Sequence, residues 1–231
     1  MNDATRARIV AAAYRILAKQ GREGLTTRAV AEAAGVQQPA IYREFVDKRG
    51  LLDALVAHGV ARYFAEKAAH IPHADPIEDL RAGWDGYVAF GLANPAIAAL
   101  MADPELKLSS AQAGLPYLEA RVHRAALAGR LRVSEPQAVS MLHAAGMGTV
   151  LALLERPDPE LSAATREAIL AAIAHSPRAE TRPIASAVIA LRAALPELVA
   201  LTPRERDLLD EWLARLTTSR AGGGARPAAR D

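Results

Sequence analysis

The chain of 231 residues contains no cysteine. That excludes a disulfide framework, a thiol nucleophile and any cysteine-based metal site. Aromatic residues are scarce, at 4%, which leans a binding site toward an aliphatic or mixed lining and away from a cage for flat cations. No apolar run reaches the ~18 residues of a membrane span. The first turns carry Asp3, Arg6 and Arg8 with no apolar signal core after them, so a cytoplasmic location with no membrane partner is expected. Strand alternation and hairpin signals are missing too. The histidines are scattered: His70 and His73 are close but lack a third ligand, so no metal site is expected. Gly146-Met147-Gly148 has no strand before it and is not a dinucleotide loop. No Ser/His/Asp set stands out, so neither catalysis nor a cofactor is expected.

What remains is a chain punctuated by helix starts. The first, from Thr5, has an apolar stripe of Ile9, Ala13, Ile16 and Leu17 and should stop at Gly21. A short helix should then open at Thr26, an N-cap type, with Leu25 and Val30 at hydrophobic-staple spacing. Ala29, Val30 and Ala33 give it one apolar face, and Gly35 can end it in the left-handed conformation. The next helix should begin near Gln37 or Gln38 with Pro39 in its first turn. Ile41 and Phe45 would pack inward, leaving Gln38, Ala40 and Tyr42 outside. Two short helices about a glycine turn, with a polar outward face, describe a helix-turn-helix whose second helix enters a DNA major groove. A structural alternative is an ordinary helical hairpin.

Asp47 is placed to cap a long helix from Lys48 to about Ala69, faced by Leu51, Leu52, Leu55, Val56, Val60, Tyr63 and Phe64. Further starts follow at Asp75-Pro76, Asn94-Pro95, Leu115, Ser134-Glu135-Pro136-Gln137, Leu161, Ile184 and Thr202-Pro203-Arg204-Glu205. The Ser134 and Thr202 segments have capping-box spacing, and Pro196 should end or kink the helix before it. Charge is uneven. Residues 1–50 hold nine Lys/Arg against five Asp/Glu, while residues 51–219 hold sixteen against twenty. The basic end is the end with the helix-turn-helix, which suits phosphate contact.

The run AGVQQPAIYREF…DKRGLLDAL closely resembles the DNA-binding region of the TetR family of bacterial transcriptional repressors. The likeness covers roughly residues 5–65 and weakens beyond them. With the helix starts, it implies an all-α fold: a helix-turn-helix domain over 1–47 (motif about 26–45), a connecting helix over 48–70, and a ligand-binding and dimerisation bundle over 71–218. The Gly/Ala/Arg-rich tail 219–231 should be disordered. The implied function is a repressor that binds a palindromic double-stranded DNA operator as a homodimer and leaves it when a small-molecule effector binds. Alternatives are a helical binding or enzymatic module with a vestigial helix-turn-helix, and an activator of the same family.

The same resemblance assigns sites. Thr26, Thr27 and Arg28 fall at the start of the first motif helix, near phosphate and a base edge. Gln37, Gln38, Pro39 and Ala40 fall where bases are read: Gln38 can pair with adenine, and Pro39 with Ala40 can touch a thymine methyl. Tyr42 and Lys48 match phosphate-contacting positions. Gln37 stands where serine is common and Glu44 where histidine is common; Arg43 is then expected to take the phosphate, with Glu44 facing away or reading a cytosine. Trp84, Tyr87, Phe90, Met101, Tyr117, His143 and Met147 sit on helices that line the family's effector cavity, though each could be plain core. The helix near 135–154 is apolar on two sides and so must be covered on both. Leu142, Gly146, Thr149, Val150 and Leu153, with Trp212 of the last helix, are the candidates for the dimer interface.

Overall fold

A computed structural model describes residues 3–67, 73–175 and 184–218. Eleven α-helices occupy them: α1 (Asp3–Gly24), α2 (Thr27–Ala34), α3 (Gln38–Phe45), α4 (Lys48–Lys67), α5 (Pro76–Ala93), α6 (Pro95–Ala102), α7 (Leu115–Leu127), α8 (Glu135–Glu155), α9 (Leu161–Ile173), α10 (Ile184–Ala194) and α11 (Pro203–Thr218). Short 3-10 turns stand at Ser109–Gln112 and Leu195–Glu197. The described residues contain no strand, only an isolated antiparallel bridge between Leu131 and Ala174. His70, the linker 176–182 and the tail 219–231, on which sequence expectations were placed, lie outside the described residues, as does the side chain of Phe64.

Two cores organise the chain. The first joins α1 to α4 through Ile9, Leu17, Val30, Ile41, Phe45 and Leu55, and it extends to Ile97 and Leu100 of α6 and to Leu108. The helix-turn-helix end therefore shares its core with a helix some fifty residues further along the chain. Tyr14 of α1 reinforces the link by donating its hydroxyl to Asn94 Oδ1 at 2.6 Å. The second core lies among α5, α7, α8, α9 and α10, around Leu80, Trp84, Val122, Leu131, Leu142, Val150 and Ile173. A small third cluster joins α10 to α11 through Val188, Leu195 and Leu213. By length and composition α8 could cross a membrane, yet it is packed among α5, α7 and α9 inside the bundle.

Local expectations fared unevenly. Gly21 interrupts α1 at φ 66°, ψ −166°, although helical geometry resumes as far as Gly24. The buried pair of α2 is Val30 and Ala31, with Ala34 partly buried, whereas Ala33 is exposed. Ala29 packs against the same core, so of the expected face Ala29 and Val30 turn inward and Ala34 takes the place of Ala33. Ser134 makes no side-chain cap bond. Its two candidate donors are the backbone N–H groups at the second and third helical positions, and Pro136 removes one of them. Thr202 keeps both. Its hydroxyl accepts from Glu205 N at 3.4 Å, and Glu205 Oε2 accepts from Thr202 N at 2.8 Å.

Candidate nucleic-acid interface and effector cavity

The α2–α3 pair is set by its caps. Thr26 Oγ1 accepts from Ala29 N at 3.1 Å and opens α2. Gly35 closes it at φ 64°, ψ 41°, and its N–H returns to Glu32 O at 3.1 Å. A side chain there would be strained, since the left-handed region suits glycine. Val36 then packs against the first core, which fixes the turn. Ile41 and Phe45 are buried, so α3 can only present its other side. On that side Gln37, Gln38, Pro39 and Arg43 are exposed and Tyr42 is 52% exposed. Ala40 is half-buried at the edge of the ridge, as is Thr27 on α2. Thr26, Arg28 and Lys48 flank the ridge, all exposed.

Gln37 makes no cap bond with its side chain, so the start of α3 is held by Pro39 and by packing. At the other end α3 is held by a residue that sequence reasoning passed over. Arg6 of α1 donates from Nη1 to the backbone carbonyl of Glu44 at 3.0 Å, and its guanidinium lies 4.5 Å from the centre of the Phe45 ring. A cation at a helix C-terminus satisfies an orphan carbonyl and meets the negative end of the dipole. Nothing in the local pattern around Glu44 pointed to a residue 38 positions away. Asp47 caps α4 as expected, accepting from Gly50 N at 2.7 Å.

A cavity of about 90 Å³ opens between α4, α5, α7 and α8. Trp84, Tyr87, Phe90, Met101, Tyr117 and His143 line it, as do Val60 and Tyr63 of α4. Met147 does not: it faces a smaller depression of about 10 Å³, with Val150 and Leu151. Five of the chain's ten aromatic residues thus meet at one site. Low overall aromatic content gave no guide to this wall, because what matters is where the few aromatics are placed. Burial lowers the pKa of the His143 imidazole and so favours its neutral form. Burial also raises the phenols of Tyr87 and Tyr63, in Tyr63 partly offset by the nearby charge of Arg121. Among the described residues Arg121 is the one arginine or lysine on the wall. The sequence did not mark it, since an arginine on an amphipathic helix is ordinarily solvated.

The profile of the bacterial regulatory proteins of the tetR family matches residues 9–55, which span α2, α3 and the start of α4. Those residues therefore carry the DNA-binding domain that marks the TetR family. It is 53% identical over 55 residues to the tetracycline repressor protein class C of Escherichia coli, a stretch covering 24% of this chain and 25% of that one. The match thus spans about a quarter of the repressor's length. Among solved structures, a TetR-family transcriptional regulator from Haemophilus influenzae superposes with a TM-score of 0.55 at 20% identity, covering 75% of this chain and 98% of that one. A protein of unknown function from Rhodococcus sp. RHA1 superposes with a TM-score of 0.60 at 25% identity, covering 74% and 96%. The all-α fold of these regulators therefore extends beyond the matched segment.

The α8 residues expected at a dimer interface lie inside the protomer. Leu142, Gly146, Thr149, Val150 and Leu153 of α8 are buried within the protomer. Val150 lies against Gly91 of α5, where an added Cβ would meet Val150 Cγ1 at 2.5 Å. Gly146 packs against Tyr87 and Trp84 of the same helix. The protomer's own α5 occupies the stripe expected to meet a partner. The opposite side of α8, with Ala144, Gly148, Leu151 and Ala152, is exposed. Trp212 of α11 is exposed too, beside Leu208 and Leu216. No cluster of three or more metal-ligating side chains occurs among the described residues.

Proposed function

We propose that this regulator is a repressor that grips a palindromic operator as a homodimer and releases it when a small molecule enters the cavity. The observation that carries the reading is the shared helix α4. Its first turns, through Leu51, Leu52 and Leu55, belong to the core that holds the helix-turn-helix, while Val60 and Tyr63 further along it line the cavity. A ligand pressing on that wall acts on the element that carries the DNA-reading unit. Two recognition helices must sit about 34–36 Å apart to enter successive major grooves. A small tilt of α4 in each subunit spoils that spacing.

A second route runs in parallel. Asp53 of α4 accepts from Ser109 Oγ at 2.6 Å, Ser110 N at 2.8 Å and Ser110 Oγ at 2.7 Å. Burial raises the Asp53 carboxyl, but these hydrogen bonds and the Arg49 charge outweigh it and lower its pKa. Ala111 and Gly114, just beyond the clamped serines, line the cavity. To switch cleanly, the effector must favour the DNA-incompetent state by about 5.5 kcal/mol.

In the bound form Gln38 reads adenine, Pro39 and Ala40 meet a thymine methyl, and Tyr42, Arg43 and Lys48 hold phosphates with Thr27 and Arg28. The ridge residues Gln38, Pro39 and Arg43 are free to do so because α3 buries only Ile41 and Phe45. Glu44 is half-buried, unlike the exposed Gln38, Pro39 and Arg43, which favours its facing away from the bases over a cytosine contact. The outer side of α8 and the apolar stripe of α11 form the subunit contact.

A mobility-shift assay with the DNA upstream of its own gene tests the reading. A discrete shift is expected, lost in Gln38→Ala and Tyr42→Ala at unchanged folding. No shift by the unaltered protein ends it. Sedimentation of Gly148→Glu tests the subunit contact. An added Cβ at Gly148 meets nothing within the protomer, so a fall from dimer to folded monomer is expected. An intact dimer would move the contact elsewhere.

A further inference from the structure

We propose that the cavity is built for an apolar ligand carrying one carboxylate, and that Arg121 receives that group. The proposal rests on reading the cavity as the effector site, and it names the effector's chemistry.

Arg121 carries an unmatched donor. Arg121 Nε is buried and has no hydrogen-bond partner. Buried N–H groups are almost always paired, and an unpaired one beside a charge is costly. The nearest acid does not satisfy it. Asp79 is 3% exposed, and its Oδ2 stands 3.8 Å from Arg121 Nε, beyond hydrogen-bond reach. The same oxygen accepts from Arg124 Nη1 at 2.5 Å, and Oδ1 accepts from His73 N at 3.2 Å. Two guanidiniums therefore converge on one carboxylate, and Arg124 has the closer claim.

The surroundings point the same way. The cavity wall contains no Asp or Glu among the described residues. An ammonium ligand would meet Arg121 with no anion on the wall itself, only the Asp79 carboxylate behind it that Arg124 already shares. The rest of the wall is aromatic and aliphatic, so an entering anion leaves water, and a single guanidinium is worth most where water is excluded. Trp84 spends its indole N–H on Ser162 Oγ at 3.1 Å, which leaves its ring as apolar surface. The arginine is also held in place. Its Cδ and Nε lie 3.2 and 3.3 Å from where a Cβ would stand at Gly83. The guanidinium thus crosses α5 at Gly83, which has no side chain to deflect it. A carboxylate presented from the apolar end of the cavity would accept from Nε and from a terminal nitrogen, the paired geometry arginine favours.

The test uses the full-length chain and two triads of matched probes: phenylbutyrate, phenylbutanol and phenylbutylamine, then octanoate, octanol and octylamine. Calorimetry should rank the acid first in at least one triad, tighter than its alcohol by about tenfold, the loss expected for one charge-assisted contact. Arg121→Gln should abolish that preference and leave alcohol binding within about twofold. Arg121→Lys should keep part of it. If the alcohol or amine binds as well as the acid in both triads, or if no acid binds, the proposal is overturned on the unaltered protein alone, whatever the variants do. A preference that survives in folded Arg121→Gln also overturns it. Operator release, read in the same samples, separates the two proposals. An acid that binds without releasing DNA refutes the switch and leaves the cavity chemistry standing. Release by amines alone does the reverse.

Discussion

The helix-turn-helix end and the helical bundle solve opposite problems. The first buries nearly everything it can and shows one polar ridge: α3 hides Ile41 and Phe45 and exposes Gln38, Pro39 and Tyr42. The second leaves a hole in its middle and hides the chemistry there: the cavity collects half the chain's aromatics and one guanidinium. Groove recognition needs a rigid convex surface, whereas small-molecule recognition needs a concave one with few polar groups. In the first region stability and function are carried by different faces of one helix. In the second they compete for the same residues.

That contrast can be broken most sharply at α3. Phe45→Ala should cost about 3–5 kcal/mol of stability in chemical denaturation, because it opens a cavity in a closed core and strips Arg6 of its ring. Tyr42→Ala, three residues away and exposed, should stay within about 0.5 kcal/mol and abolish operator binding. Comparable losses from both would mean that the ridge is structural. The next effect tests how the regions communicate. Asp53→Ala leaves the N–H of buried Ser110 without its acceptor and should cost about 1–3 kcal/mol. It should also blunt effector-driven release at unchanged operator affinity. Full release in the variant would leave α4 packing alone as the coupling.

The two regions also differ in how far they could be read from sequence. Around α2 and α3 the signals are local: Thr26, Gly35 and Pro39 each act within four residues, and each does in the fold what its type predicts. The resemblance to a known family was carried by the same short stretch. The bundle depends on what meets what. Two apolar sides on α8 said that both are covered, and not that α5 takes the side with Gly146 and Val150. Arg6 and Arg121 were illegible for a related reason. Their settings are made by residues far along the chain: Arg6 by Glu44, 38 positions on, and Arg121 by Asp79 and Gly83 of α5. Even local signals fail when a neighbour removes a donor, as Pro136 does for Ser134. Thr202→Ala should therefore cost about 1 kcal/mol, while Ser134→Ala should leave the melting temperature unchanged. Equal shifts would show that Ser134 caps α8 after all.

The smallest effect expected is electrostatic, and it belongs to the bundle. Glu167 of α9 accepts from Arg81 Nε of α5 at 3.0 Å and from Arg81 Nη2 at 2.8 Å, with Arg166 beside it. The Arg81 hydrogen bonds, against a smaller opposing push from burial and with help from Arg166, hold the Glu167 carboxyl down at about 2 instead of 4.5. Because the folded form is the stronger acid, this pair's contribution is fully present above pH 4.5 and fades as the pH falls toward 2. Both side chains are partly solvated, at 32% and 46% exposure, so water and salt screen the pair to below about 1 kcal/mol. Glu167→Gln should flatten the acid limb of the stability curve in that window and change little at neutral pH. Added salt should shrink the difference between the two proteins. An unchanged acid limb would mean that α5 and α9 are held by packing around Trp84 and Leu170 and by their other polar links, Trp84 to Ser162 and Arg166 to Asp85, without help from Glu167.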